Sequence, residues 1–334
     1  MKIAVYSAKS YDIEFLDHAN EAYGYELEYY EVPLNRKTAR LAAGADAVCA
    51  FVNDKLNADT LHTLAGLKIG MIALRCAGFN NVDIETASEL GIRVMRVPAY
   101  SPHAVAEHAV ALILTLSRKT HKAYNRVRDA NFSLERFVGF DLEKKTVGVV
   151  GTGKIGQVFA GIMMGFGCNV LAYDPYPDSS LREKGVRYAS IEDVFRTSDI
   201  ISLHCPLTPE THQLVNKKTL DGMKKGAMLI NTSRGKLINT EDVIAALRNK
   251  HLGYLGIDVY AEEEKLFFRD LSEHIIDDEK IMQLSTFPNV LITAHQAFLT
   301  KEALTEIAHT TMENISVYSK GESSRNEVSI EMIA

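Results

Sequence analysis

The chain has 334 residues, 46% of them hydrophobic, and 37 basic against 43 acidic side chains leave a net charge of -6. That length is more than one core usually organises, so two domains are expected, and the acidic balance offers no electrostatic footprint for nucleic acid or an anionic membrane, which leaves small molecules as partners. Cys49, Cys76, Cys168 and Cys205 are far apart with no C-x-x-C, a pattern that indicates neither a disulfide framework nor a metal site.

From the N-terminus, MKIAVYSAKSYDIEF lacks the long apolar region of a signal peptide, and the longest apolar span, Ala104 to Leu116, is broken by Glu107 and His108. A cytoplasmic protein without a membrane segment is expected. Short β-branched runs then alternate with helical patterns: KIAVYS with DIEFLDHANEAYG, ELEYYE with TARLAAG, DAVCAFV with ADTLHTLAGL, MIALRCAG with DIETASELG, and finally RVMRVP. Such alternation predicts parallel strands joined by crossover helices, so residues 1–99 form one open α/β sheet. After Pro98 and Pro102, SPHAVAEHAVALILTLSRKTHKAYNRVRDA reads as one long helix or two.

A second alternation has TVGVV, NVLAYD, DIISLH, AMLINTS, LGYLGIDVY and NVLITAH as strands, with helices such as SIEDVFRTS and NTEDVIAALRNK between them. It predicts a separate doubly wound sheet. The last amphipathic stretch, KEALTEIAHTTMENISVYSKG, is expected to return to the first sheet. The domains would then be 1–99 with 300–334, discontinuous, and 100–299, while the closing KGESSRNEVSIEMIA reads as a loosely held tail.

The most specific local signal is TVGVVGTGKIGQVFAGIMMGFGCNVLAYD, residues 146–174. It joins a strand, a G-x-G-x-x-G turn, a helix with apolar Ile155, Val158, Phe159, Ile162 and Met163, and a second strand that ends in an acid. Gly151 suits the tight turn, Gly153 the approach of a pyrophosphate, and Gly156 the packing of helix on sheet. Lys154 and Ile155 fall at the phosphate turn, where the helix N-terminus favours an anion. Asp174 is positioned to accept from the adenosine ribose hydroxyls, and its charge opposes a 2′-phosphate, so NAD is favoured over NADP.

Ligands of open α/β sheets bind beyond the carboxyl ends of the strands. Four polar residues fall there: Arg234 after AMLINTS, Asp258 at the end of LGYLGID, Glu263 soon after it, and His295 at the end of NVLITAH. Hydride transfer to a ketone needs a cation for an anionic substrate and a proton donor for the carbonyl oxygen. Arg234 has the planar fork that suits a carboxylate, and His295 can give or take a proton near neutrality. Glu263, bonded to the far ring nitrogen, would favour the charged imidazole and fix its tautomer. His204 is better explained as a packed strand-end histidine, and neither Cys76 nor Cys205 has the partners a nucleophile requires.

Taken together, VPAYSPHAVAEHA, VGVVGTGKIG, AYDPYP, SLHCPLTPET, NTSRGKLIN, GIDVYAEEEKLFF and TAHQAFLT resemble the D-isomer-specific 2-hydroxyacid dehydrogenase family, over about residues 1–327. The resemblance implies a flavodoxin-like substrate domain plus a Rossmann NAD-binding domain with a cleft between them. The implied reaction is NADH-dependent reduction of a 2-ketoacid, with pyruvate to D-lactate favoured by DVYAEEEKLFF and AHQAFLT. It makes Arg234 the substrate-binding cation, His295 the acid/base, Glu263 its partner, and Asp258 a supporting carboxylate near the cofactor. Ala77, Gly78 and Phe79 in RCAGFNNVD would receive the substrate carboxylate on their N–H groups, Tyr100 would reach the substrate, and Phe51 and Phe298 would wall its methyl group. Cys205 and Pro206 would flank adenine, and Thr232, Ser233, Arg234, Asp258 and His295 would lie on the nicotinamide side.

Relatives of this kind reduce other 2-ketoacids, of the 2-hydroxyisocaproate, phenyllactate or glycerate type. The formate-oxidising pattern, with glutamine in place of Glu263, and the phosphoglycerate pattern, with another substrate loop, fit less well. A competing reading from a different class is an NADH-sensing corepressor, which would carry long flexible extensions. The resemblance also implies a homodimer or a dimer of dimers, with residues 101–130 as its dimerisation region.

Overall fold

The inner apolar runs become buried strands in the computed structural model, which describes residues 1–332. The chain divides into two units, Met1–Ser101 with the chain from Leu299 on, and Pro102–Phe298. In the first, β1 (Lys2–Val5), β2 (Glu26–Tyr29), β3 (Ala47–Ala50), β4 (Met71–Leu74) and β5 (Arg93–Met95) form a parallel sheet of order β2-β1-β3-β4-β5. Every residue of β3 and β4 is buried, as expected of strands covered on both faces. Helices α1 (Ser10–Asn20), α2 (Ala58–Gly66) and α3 (Ile84–Glu89) make the crossovers. Asn57 and Asp83 cap α2 and α3 by accepting the Thr60 and Thr86 N–H groups.

One predicted crossover helix is absent. TARLAAG forms only a single 3₁₀ turn, Ala39–Ala42, before Gly44 takes φ +83. The segment is too short to propagate a helix, and the left-handed glycine ends it.

In the second unit α4 (Pro102–Arg118) and α5 (Thr120–Arg128) are two helices, parted at Lys119 with φ 55. The sheet strands are β6 (Thr146–Val150), β7 (Asn169–Tyr173), β8 (Arg187–Tyr188), β9 (Ile200–Leu203), β10 (Ala227–Asn231), β11 (Leu252–Ile257) and β12 (Val290–Ile292). All pair in parallel, in the order β12-β11-β10-β9-β6-β7-β8. The helices are α6 (Lys154–Gly165), α7 (Ser179–Glu183), α8 (Ile191–Thr197), α9 (Lys217–Asp221), α10 (Thr240–Arg248) and α11 (Glu279–Thr286). Alternate side chains of β6 enter different cores. Val147 and Val149 pack with Leu112, Ile113, Phe159 and Met163 of α4 and α6, whereas Val150 joins the core that holds Val194, Phe195 and Val243 of α8 and α10. The edge strand β8 has only two residues, too few to show a period.

The last helix, α12 (Lys301–Ser319), returns to the first unit and completes its core. Ala308, Met312 and Ile315 pack with Ile3, Val5, Leu16 and Met71. The tail that follows is held, contrary to the reading of KGESSRNEVSIEMIA as loose. Asn326 O accepts the Arg96 N–H at 3.0 Å, Val328 N–H donates to Val94 O at 2.8 Å, and Glu327 pairs with Arg93 at 2.7 Å. These contacts cover β5, the otherwise open edge of its sheet, where unpaired backbone groups would be exposed. Ile333 and Ala334, the end of that stretch, lie outside the described residues.

Candidate active site

The turn from β6 into α6 shows why two of its glycines are needed. Gly151 has φ +94, and a Cβ there would stand 2.6 Å from Cys205 N. At Gly156 a Cβ would meet Gly151 O at 2.0 Å, so the helix can rest on the turn only without a side chain. Gly153 is the N-cap of α6. It provides no side-chain cap, and an added Cβ would meet nothing within 4 Å, so open space adjoins first-turn N–H groups suited to an anion. Lys154 and Ile155 begin this helix.

Asp174 follows β7 and holds main chain, a role the sequence did not show. Its Oδ2 accepts the Thr152 N–H at 2.6 Å and its Oδ1 the Tyr176 N–H at 2.8 Å. The carboxylate thus fixes the glycine turn, and its remaining lone pairs can accept from a ribose. Beyond β9, Cys205 O accepts from Ser233 Oγ at 2.7 Å, and Pro206 follows in the chain. Burial pushes the Cys205 thiol up to about 11, which keeps it protonated and unsuited to nucleophilic attack. Thr232, after β10, is buried and its Oγ1 has no partner. An orphaned hydroxyl after β10, two strands along the same sheet from an open glycine turn and an uncapped helix N-terminus, fits a dinucleotide that provides the missing contacts.

His204 is packed, as expected. Its Nε2 is 2.9 Å from Ser202 Oγ, its ring lies 4.8 Å from that of Phe159, and burial pushes its pKa down to about 3.

The reactive groups cluster on adjacent strand ends. Arg234 follows β10, Asp258 follows β11, and His295 follows β12, while Glu263 opens the 3₁₀ turn Glu263–Lys265. His295 Nδ1 is 2.9 Å from Glu263 Oε1, and Glu263 Oε2 accepts the Tyr260 N–H at 2.9 Å. A carboxylate can only accept, so Nδ1 carries a proton and Nε2 is the nitrogen left to exchange one with a ligand. Phe268, not foreseen from the sequence, lies with its ring 5.8 Å from the imidazole. Arg234 Nη1 donates to Ser233 O at 2.8 Å, and Asn231 Nδ2 donates to Arg234 O at 2.8 Å, which fixes the backbone carrying the guanidinium.

Asp258 is fully buried. It accepts from Thr293 Oγ1 at 2.5 Å, Gln296 N at 2.9 Å and Ala297 N at 2.9 Å. Burial favours the neutral acid, but the hydrogen bonds from His108, Thr293 and the two amides outweigh it and hold this carboxyl below the usual range. His108 and Thr293 were also missed. The only sequence signal for His108 is a polar residue interrupting the apolar spacing of α4.

The remaining predicted residues fall in two places. Phe298, buried, ends the second unit. In the first unit Ala77, Gly78 and Phe79 follow β4, and Phe51 follows β3. Arg96 Nη1 donates to Ala77 O at 2.9 Å while its guanidinium lies 5.1 Å from the Phe79 ring centre. Arg75 is buried with its guanidinium 4.9 Å from the Phe51 ring centre, so one cation joins Phe51 to the start of the loop. Tyr100 is half-buried near the end of this unit.

Residues 110–297 match the family model described as D-isomer specific 2-hydroxyacid dehydrogenase, NAD binding domain. The chain belongs to this family. Its cofactor is NAD. The chain is 52% identical to the D-lactate dehydrogenase of Escherichia coli (strain K12) over 328 residues, 98% of this chain and 100% of that protein. The apo-structure of D-lactate dehydrogenase from Escherichia coli superposes with a TM-score of 0.91 at 51% identity, covering 98% of this chain and 100% of that one. The D-lactate dehydrogenase of Aquifex aeolicus, solved with NAD and lactic acid, superposes at 0.85 with 34% identity, over 96% of each chain. Among the described residues no helix is long and apolar enough to cross a membrane.

The low pKa of His204 has a measurable consequence. Between about 3 and the ordinary value of 6.5 the unfolded chain binds a proton that the folded chain does not. Its contribution to stability is therefore complete above 6.5 and is lost as pH falls toward 3. His204→Gln is expected to narrow the gap between urea midpoints at pH 7 and pH 5; an unchanged gap would show that His204 is protonated in the folded protein.

Proposed function

We propose that this enzyme is an NAD-dependent D-lactate dehydrogenase that reversibly reduces pyruvate to D-lactate. The observation that carries the reading is the His295–Glu263 pair at 2.9 Å, placed with Arg234 on neighbouring strand ends of the NAD binding domain. When bound, the reduced dinucleotide supplies the hydride. Arg234 holds the substrate carboxylate through its guanidinium fork and polarises the adjacent carbonyl. His295 gives the Nε2 proton to the carbonyl oxygen as the hydride reaches the carbon, and takes it back in lactate oxidation. Glu263, bonded at Nδ1, fixes the ring and stabilises the imidazolium between turnovers.

The glycine turn, Lys154, Ile155 and Asp174 hold the phosphates and the adenosine ribose, with Cys205 and Pro206 on the adenine side. Thr232, Ser233 and Asp258 serve the nicotinamide side. Ala77, Gly78, Phe79, Tyr100, Phe51 and Phe298 are assigned to the substrate, the aromatic ones as apolar walls that select a small methyl group. The names of the Escherichia coli and Aquifex aeolicus relatives support lactate over longer hydroxyacids. A cytoplasmic location agrees with the burial of Cys49, Cys168 and Cys205 as thiols within the hydrophobic cores.

The expected assembly is a homodimer. Helix α5 buries none of its residues within the chain, and Tyr124, Phe132, Leu134 and Val138 on it and the following loop are 62%, 73%, 84% and 86% exposed. An apolar surface of that kind requires cover.

Two measurements check these readings. With NADH in excess, kcat/KM is expected to be highest for pyruvate and roughly tenfold lower for 2-ketobutyrate, the scale of one methylene in a closed pocket. A preference for phenylpyruvate or glyoxylate would assign another hydroxyacid, and no turnover with any 2-ketoacid would refute the activity. Light scattering is expected to give twice the 37.1 kDa chain mass, reduced to one chain by Leu134→Asp with Val138→Asp; a wild-type monomer would contradict the dimer.

A further inference from the structure

On α4, Ala106, Ala109, Leu112 and Ile113 are buried in the core, and His108 beside them turns a polar ring toward the strand ends. Its Nε2 is 3.0 Å from Thr293 Oγ1 and 3.4 Å from Asp258 Oδ1, with side-chain exposures of 17% for His108 and 1% for Asp258. Thr293 donates its only hydroxyl proton to Asp258. The threonine oxygen can then only accept from His108, so His108 carries its proton on Nε2.

The next link is backbone. The two oxygens of Asp258 take the N–H groups of Gln296 and Ala297, and the Asp258 carbonyl takes the His295 N–H at 2.7 Å. His295 itself has φ 53, a left-handed conformation that a residue with a Cβ avoids unless its surroundings impose it. The imposing groups are the Asp258 contacts on either side of it.

We propose that His108 is a positioning residue for His295. It donates to Thr293, Thr293 fixes one oxygen of Asp258, and Asp258 holds the left-handed turn from which the imidazole projects. Glu263 holds the ring by Nδ1; the chain from His108 holds the backbone under it. The two restraints act on different parts of the residue, and His108 is the side chain through which α4 enters this chain of contacts.

This role rests on the proposed 2-ketoacid reduction, so its test has one arm that requires no substrate. His108→Phe fills the space and removes the donor, His108→Gln keeps an N–H near the Nε2 position, and Thr293→Val breaks the same link from the other side. With pyruvate and NADH, His108→Phe and Thr293→Val are each expected to lower kcat roughly tenfold, the scale of one hydrogen bond to a charged network. KM for pyruvate and Kd for NADH should stay within about twofold, His108→Gln should recover most of the rate, and the double variant should be no worse than the poorer single one. Without substrate, hydrogen exchange at the Gln296 and Ala297 amides should accelerate in His108→Phe and return in His108→Gln.

A kcat within about twofold of wild type in His108→Phe, parallel losses in KM and NADH affinity, or a His108→Gln variant as impaired as the Phe variant would overturn the role. If wild type reduces no 2-ketoacid, the functional reading fails and amide exchange alone decides; unchanged exchange at Gln296 and Ala297 then refutes the positioning chain.

Discussion

One carboxylate without solvent exposure organises this site. Asp258 follows β11, the strand between β10 and β12, so Arg234 emerges on one side of it and His295 on the other. A buried charge is costly unless it is fully bonded, and Asp258 meets that condition with Thr293, two main-chain amides and the nearby His108 ring. Those bonds hold His295 in a backbone conformation that the residue would not otherwise favour. The arrangement carries a catalytic-type imidazole on main chain fixed from below, with Glu263 orienting the ring from the side.

The same sheet edge divides its work along the strand order. Toward β7 lie Asp174 and the glycine turn, a carboxylate tied to the Thr152 and Tyr176 amides beside the first-turn N–H groups of α6. Toward β12 lie a cation, an imidazole and two carboxylates. The join is at β9 and β10, where Ser233 Oγ bonds Cys205 O and ties the end of one strand to the end of the next. A ligand that extends along this edge meets main-chain donors and a carboxylate at one end and a guanidinium and an imidazole at the other, the arrangement on which the proposed hydride transfer rests.

Much of this was legible because backbone geometry limits residue choice. A Cβ at Gly156 would lie 2.0 Å from Gly151 O, so the motif shows in the sequence as glycine and nothing else. The inner strands read as apolar runs because they are covered on two faces. What could not be read depends on distant partners. Nothing in KGESSRNEVSIEMIA shows that Glu327 pairs with Arg93, 234 positions away, or that Val328 covers a sheet edge. TARLAAG has good helix formers, yet its length and Gly44 allow only one turn. His295 and Glu263 were visible as strand-end polar residues with a bond between them expected from their chemistry, and the fold brings Nδ1 and Oε1 to 2.9 Å. His108 stayed hidden in an apolar helix because its purpose lies in Thr293, 185 positions further on.

The central claim is that the carboxylate-held imidazole of His295 is the proton donor rather than a structural side chain. Steady-state and single-turnover kinetics of His295→Gln with pyruvate, alongside its Kd for NADH, test it most directly. The account predicts that kcat falls by at least about a hundredfold, the usual scale of general acid–base catalysis, with NADH affinity within about threefold of wild type. A variant that turns over near the wild-type rate, or one that loses NADH binding and activity in equal measure, would contradict it.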